Sequence, residues 1–258
     1  MAGAAMAETA ATQAAERPLV SVDVVLFTLG GPVRQGRPGL QVLLARRARP
    51  PFAGCWALPG CFVGPTESLE VAAHRAIRHL TTARGIYLEQ LYTFGEPDRD
   101  PRGRVITIGY YALVRADQVQ FPAAPAGAEA ECAAWFPADA LPPLAFDHDY
   151  IIGYARWRLR NKIEYTDIAF QVLPDRFSLT HLRQVYEAVL GETLDKRNFN
   201  RKVLSSGLLV ETGAVQGGQA HRPARLYAFV RRQPGGTIAP VAPGQAAPRQ
   251  HDHDAGKD

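Results

Sequence analysis

The alternation and spacing of apolar positions divide the chain before any single residue is considered. From Arg17 to Leu29, Val20, Val22, Val24 and Leu26 alternate with Ser21, Asp23 and Val25, the pattern of a strand with one buried face. A glycine-rich loop, Gly30 to Gly39, leads to a second strand at Leu40 to Ala45. Leu69, Ala72, Ala73, Ala76, Ile77 and Leu80 recur at three- and four-residue spacing, which predicts a helix with one buried face. Thr66 is placed to cap its start, and Gly85 to mark an end. Tyr87 to Phe94, Gly103 to Val114 and Glu129 to Phe136 read as further strands, and Asp147 opens a helix through about Asn161. Ile151, Ile152, Ala155 and Leu159 lie on one side of it.

The pattern then changes. Glu164 to Leu173 reads as a helix stopped by Pro174, and Ser178 as the cap of another, striped by Leu179, Leu182, Val185, Tyr186 and Val189 and ended by Gly191. Asp195 caps a third helix, closed by Gly207. Two β-like segments, Leu208 to Thr212 and Arg225 to Val230, flank a flexible stretch. Three helices and a two-stranded hairpin describe a winged helix-turn-helix. In its third helix Phe199 and Val203 sit on one side, and Arg197, Asn198, Arg201 and Ser205 on the other. Arginine pairs two donors with guanine and asparagine pairs with adenine. Such a helix enters the major groove. Lys196 and Lys202 are placed for phosphates, with Asn200 beside them. In the wing, Arg222, Arg225 and His221 are placed for backbone or minor groove.

Charge agrees with a polyanion partner. The formal net charge is +4, but residues 156–232 carry +7 (14 Lys/Arg against 7 Asp/Glu), so the rest carries −3. Three cysteines, Cys55, Cys61 and Cys132, make an odd count without metal-ligand pairing, as expected in a reducing cytoplasm. No apolar run reaches membrane-spanning length. Residues 1–17 read as a disordered leader without signal-peptide character, and residues 233–258 as a disordered tail. His251 and His253 in that tail are read as no more than an adventitious metal site.

The stretch from Gly54 to Ile86 resembles the Nudix box. Cys61 takes the position of its glycine, Glu67 and Arg75 match, and Ala76, His79 and Leu80 stand where the family's hydrolases carry glutamates. Positions 76, 79 and 80 crowd one helical face. Three carboxylates there would hold Mg²⁺, which takes hard oxygen ligands and activates water. A methyl, an imidazole and an isobutyl group offer no oxygen. The expectation is a pocket that binds a nucleotide-like ligand and does not cleave it, with no catalytic residue and no metal site. The pocket is read as lined by Arg46, Arg47, Trp56, Glu67, Phe94, Arg99 and Arg102: guanidinium forks for a diphosphate and an aromatic face for adenine. Trp56 and Phe94 are read equally as core residues.

A degenerate Nudix domain before a winged helix resembles the Nudix-related transcriptional regulators of bacterial NAD metabolism. The resemblance runs from about Pro18 to Arg232. It rests on Leu88 to Gly95, Arg99 to Arg104, Phe146-Asp147-His148, Asp195 to Phe199 and Arg222 to Tyr227. It implies an α+β chain: a leader (1–17), an α/β/α Nudix-like sensing domain (18–155), a winged helix-turn-helix (156–232) and a tail (233–258). It also implies a cytoplasmic homodimer on double-stranded DNA with a palindromic operator. ADP-ribose or another NAD-derived nucleotide would be the effector, with no cofactor. Two alternatives stay open. One is a hydrolase whose metal is held by Glu89, Glu96, Asp98 or Asp100. The other is a ligand-dependent scaffold whose basic domain meets protein.

Overall fold

The computed structural model describes residues 17–34, 37–121, 130–164, 166–216, 224–232 and 238–240. These form two compact units. One takes the chain up to Leu173 and adds His181–Leu194; the other holds Pro174–Thr180 and the chain from Asp195 onward.

The first unit is built on a seven-stranded sheet of β1 (Leu19–Arg34), β2 (Arg37–Arg47), β3 (Trp56–Ala57), β4 (Gly60–Phe62), β5 (Glu89–Phe94), β6 (Val105–Leu113) and β7 (Ala130–Pro137). The order is β3-β2-β1-β6-β5, with β4 on β1 and β7 on β2. Strands β1 and β6 run parallel, while the other pairs are antiparallel. The alternation expected in β1 is used on both faces. Val22, Val24 and Leu26 enter one apolar cluster with Ala72, Ala73, Ala76 and Ile77 of helix α1 (Leu69–Arg78). Asp23, which points the other way, meets His148 at the start of helix α2 (His148–Ile163). A helix therefore covers each face, giving the α/β/α sandwich.

The second unit contains β8 (Phe177–Ser178), helix α4 (Lys196–Ser205), β9 (Leu209–Gln216), β10 (Ala224–Arg232) and β11 (Ile238–Pro240). Helix α3 (Leu179–Leu190) begins in it and continues into the first unit. Strand β10 is central: β9, β8 and β11 each pair with it antiparallel.

Several expectations are corrected. Ser68, not Thr66, caps α1: its hydroxyl accepts from the Val71 N–H at 3.3 Å. The segment Glu164 to Leu173 is not an α-helix. Among its described residues only Ile168–Val172 winds, as a 3-10 turn, because Pro174 leaves a short run and short runs readily take the tighter form. Ser178 closes β8. Within the stretch read as a tail, Ile238–Pro240 pairs with β10. Helix α2 spans the expected division at residue 155 and is continuous from His148 to Ile163, which leaves that division as drawn from the sequence.

Candidate functional site

The Nudix-like segment is held by its own matching residues. Glu67 Oε1 accepts from the Gly64 N–H at 2.7 Å, and Arg75 donates to both Glu67 oxygens and, at 2.8 Å, to the Phe62 carbonyl. The Arg75 hydrogen bond is the main reason the Glu67 carboxyl titrates below its ordinary range. Glu67 and Arg75 thus pin the loop to α1, so the structure gives Glu67 a scaffold part. The Cys61 Sγ donates to the Ala72 carbonyl at 3.4 Å, which ties the residue in the glycine position to α1 as well.

The three positions expected to lack metal ligands have different surroundings. Ala76 is 2% exposed and belongs to the core; His79 is exposed at the C-cap; Leu80 is half-buried. Residues present at this face do not fit Mg²⁺, which requires oxygen donors. The alternative acids are not assembled into a replacement. Both Glu89 oxygens accept from Lys162 Nζ (2.6 and 2.7 Å), and Asp100 accepts from Arg102. Among the described residues, no group of three or more His, Cys, Asp and Glu side chains is placed to hold a metal ion.

Two neighbouring constellations hold three of the arginines expected to line the pocket, Arg99 in one and Arg47 and Arg102 in the other. The first is buried. Arg99, whose side chain is 3% exposed, donates from Nε and Nη2 to the two oxygens of Asp147 (3.0 and 2.7 Å) and reaches Asp23 at 3.4 Å. His148 completes the group: Nδ1 accepts from the Leu58 N–H at 2.9 Å, and Nε2 faces Asp23 at 3.6 Å. Burial holds the imidazole below its ordinary pKa despite Asp23. Arg99 therefore ties the loop before β6 to the start of α2 and is not presented as a phosphate fork.

The second constellation is more open. The Arg102 guanidinium lies over the rings of Phe62 (4.9 Å) and Phe146 (5.6 Å), and that of Arg47 over Phe146 at 4.9 Å. Phe52 packs edge-on to Phe146 at 4.9 Å. Phe52 and Phe146 both take positive φ, 61° and 56°, which is costly for bulky residues and clusters at functional sites. Arg102 also grips Asp100 through Nε and Nη2 (2.9 and 2.6 Å). Burial alone would raise the Asp100 carboxyl, but these hydrogen bonds bring it below its ordinary value. Here two cations and three aromatic rings meet, a chemistry suited to a diphosphate and a base.

The remaining pocket candidates lie elsewhere. Arg46 is exposed and donates to the Gly54 carbonyl at 3.2 Å. Trp56 packs edge-on against Phe136 at 4.6 Å. Phe94 is 4% exposed among Tyr92, Tyr150 and Tyr154, the core alternative of its reading. Phe52, Phe62, Phe146, Asp23 and His148 also belong to these two constellations, outside the residues expected from the sequence. Their sequence signal was slight, apart from Phe146 and His148 within one family-like stretch.

In the second unit Asp195 accepts from the Asn198 N–H at 2.8 Å and caps α4 as expected. Phe199 is buried, whereas Lys196, Arg197, Asn198, Arg201 and Lys202 are exposed and Asn200 is half-buried. Arg201 donates to the Asn198 side-chain oxygen at 3.1 Å. Arg225 is exposed on β10 and pairs with Glu211 of β9 at 3.2 Å. Arg222 and His221 lie outside the described residues, as do His251 and His253.

Comparison with known proteins bears on both halves. Residues 19–154 match the NUDIX domain family, and residues 169–229 match the NrtR DNA-binding winged helix domain. The ADPR responsive transcriptional repressor NtrR of Acinetobacter baylyi is 38% identical over 220 residues, 82% of each chain. The chain belongs to the NrtR family. The crystal structure of Shewanella oneidensis NrtR superposes with a TM-score of 0.68 at 38% identity, covering 82% of this chain and 94% of that one. The same protein complexed with a 27mer DNA gives 0.67 at 36%, covering 81% and 93%. An ADP-ribose pyrophosphatase of Methanocaldococcus jannaschii is 40% identical over 119 residues, 46% of this chain and 68% of its own. The Nudix half thus has relatives of both kinds, regulators and a hydrolase, while the winged helix marks the regulators. Among the described residues no helix is long and apolar enough to cross a membrane.

Proposed function

We propose that this chain is a cytoplasmic bacterial repressor of genes for NAD synthesis or salvage. Its Nudix domain binds ADP-ribose or a related NAD-derived nucleotide without cleaving it. One observation carries the reading. A Nudix helix with Ala76, His79 and Leu80 at its metal-ligand positions shares a chain with a helix that exposes Lys196, Arg197, Asn198, Arg201 and Lys202. The regulator relative and the DNA-bound relative support it by their named roles.

In this reading Arg47 and Arg102 supply guanidiniums to the diphosphate, and Phe62 and Phe146 offer faces to the base. Arg99 and Glu67 keep the loops in place, and Arg46 holds the Gly54 carbonyl on the strand that carries Arg47. Arg197, Asn198 and Arg201 read base edges; Lys196, Asn200, Lys202, Arg222 and Arg225 contact the backbone. A homodimer sets two such helices on the half-sites of a palindromic operator. Effector and DNA are linked: a ligand that favours one arrangement of the two readers changes DNA affinity by its differential affinity, and DNA changes ligand affinity equally.

The test is an anisotropy titration of full-length protein on duplex from upstream of its own gene, with and without saturating ADP-ribose. The expected outcome is a shift in apparent Kd of roughly fivefold or more; unchanged affinity removes the mechanism. The alternative is an ADP-ribose or nucleoside-diphosphate pyrophosphatase with a divergent metal site, favoured by the pyrophosphatase relative. Against it stand the oxygen-poor helix and the commitment of Glu89 to Lys162 and Asp100 to Arg102.

A further inference from the structure

Helix α2 is entered through two residues that each depart from the locally stable choice. Phe146 takes a positive φ of 56°, a region that bulky side chains rarely enter. Asp147 follows at the N-cap, where a carboxylate ordinarily accepts from an N–H of the first turn. Its side chain makes no such bond. Both of its oxygens accept from Arg99 instead, at 3.0 and 2.7 Å. Local stability forgone at two adjacent positions points to a use beyond the helix itself.

The fork between Arg99 and Asp147 belongs to a buried frame. The Arg99 side chain is 3% exposed, and Asp23 of β1 lies 3.4 Å from its Nη2. Gly60 of β4 is pressed against the same carboxylate, so that a Cβ there would collide with Asp23 Oδ1 and with the Val22 carbonyl. Three residues of the open constellation are carried directly by this frame. Phe146 adjoins Asp147, Arg102 follows Arg99 by three positions, and Phe62 follows Gly60 by two. At the surface these three converge, with the Arg102 guanidinium over both rings. A guanidinium fork is planar and accepts a carboxylate in one arrangement. A single contact therefore fixes both the loop that carries Arg102 and the backbone that presents Phe146.

We propose that Arg99 and Asp147 are the positioning pair of the nucleotide site: their fork holds Phe146 in its left-handed conformation and so sets its ring against Arg102. Arg99 is buried and acts through these neighbours, not on the nucleotide. The inference rests on the reading of Arg47, Arg102, Phe62 and Phe146 as that site. It names what orders the site before the nucleotide arrives, when ordering costs least affinity.

Calorimetric titration of full-length protein with ADP-ribose tests it, using Arg99→Lys, Phe146→Leu and the double variant. Lysine keeps a positive charge between Asp23 and Asp147 but has no planar fork. Far-UV circular dichroism and thermal unfolding check that each variant is folded. Asp147→Asn, which leaves Arg99 one acceptor oxygen and Asp23, takes its place should Arg99→Lys not fold. The expected result is binding weakened about tenfold by Arg99→Lys in the parent, and by about threefold or less when Phe146 is already leucine. A contribution to stability alone would not depend on the residue at position 146. Equal losses in the two backgrounds, or an Arg99→Lys protein that binds as the parent does, overturn the positioning pair and leave the site standing. A parent that does not bind ADP-ribose, or binds it equally well with Phe146→Leu, overturns the reading of the site and the pair with it.

Discussion

Helices α1 and α4 are built alike and used differently. Each has ten residues, and each is opened by a side chain, Ser68 or Asp195, that accepts from the N–H three residues on. Yet α1 buries Ala72, Ala73, Ala76 and Ile77, while α4 buries only Phe199. In α1 small apolar residues draw the helix against β1 and β4, and the position where a hydrolase needs a carboxylate has joined the core. In α4 one aromatic anchor leaves five cationic or amide side chains in solvent. Caps and length decide that a helix forms; the side chains around its circumference decide whether it supports a core or meets a partner.

The strongest way to break this contrast acts on α4. Arg197→Ala with Arg201→Ala removes two guanidiniums that make no core contact. Operator affinity is expected to fall by about 2–6 kcal/mol in all, at 1–3 per base contact, with the thermal unfolding midpoint nearly unchanged. Anisotropy on the operator duplex reads the first effect and calorimetry the second. A variant that binds duplex as well as the parent would move the basic face to the scaffold reading.

Substitution in α1 should do the reverse. Ala76→Glu places a carboxylate in a site 2% exposed and is expected to cost about 3 kcal/mol or more in urea unfolding, by over-packing and desolvation. His79→Glu, three residues on but exposed, should change stability by no more than about 0.5 kcal/mol. Equal effects at the two positions would mean that the helix is not oriented as described.

The caps give a smaller test. Ser68→Ala and Asp195→Ala should each cost about 1 kcal/mol, with Thr66→Ala near zero, measured by chemical denaturation. A larger loss at Thr66 would restore the cap expected from sequence. A further pH effect comes from His148. Its folded pKa lies below the ordinary value of 6.5, chiefly because of burial. The unfolded chain therefore binds the proton first. Stability is full above about pH 6.5 and falls as the pH drops from there toward the folded pKa. His148→Gln should flatten that part of the stability profile; an unchanged slope assigns it to other groups.

What the sequence disclosed follows the range of the interactions. The apolar repeat of α1, the alternation in β1 and the cap of α4 are set by neighbours a turn or two away, and all three were legible. The choice between Thr66 and Ser68 was not, because both residues can cap and only the helix register decides. Arg99 and Arg102 looked equivalent in one charged loop. Their fates diverge through partners: Arg99 meets Asp147, 48 residues on, and Asp23, 76 residues back, whereas Arg102 turns to Asp100 and the rings of Phe62 and Phe146. The cluster of Phe52, Phe62 and Phe146 was hidden for the same reason, since its members come from three separated loops and strands. The 3-10 turn at Ile168–Val172 escaped because apolar spacing alone does not set the tightness of a short winding.

The most direct measurement follows the fate of bound ADP-ribose. Purified full-length protein is titrated with ADP-ribose in Mg²⁺ or Mn²⁺ by calorimetry, and the nucleotide is then recovered and separated chromatographically. Saturable binding with ADP-ribose recovered intact is the expected result, since the helix that should present oxygen ligands presents Ala76, His79 and Leu80 instead. Steady release of AMP and ribose 5-phosphate would contradict it and return the Nudix half to catalysis.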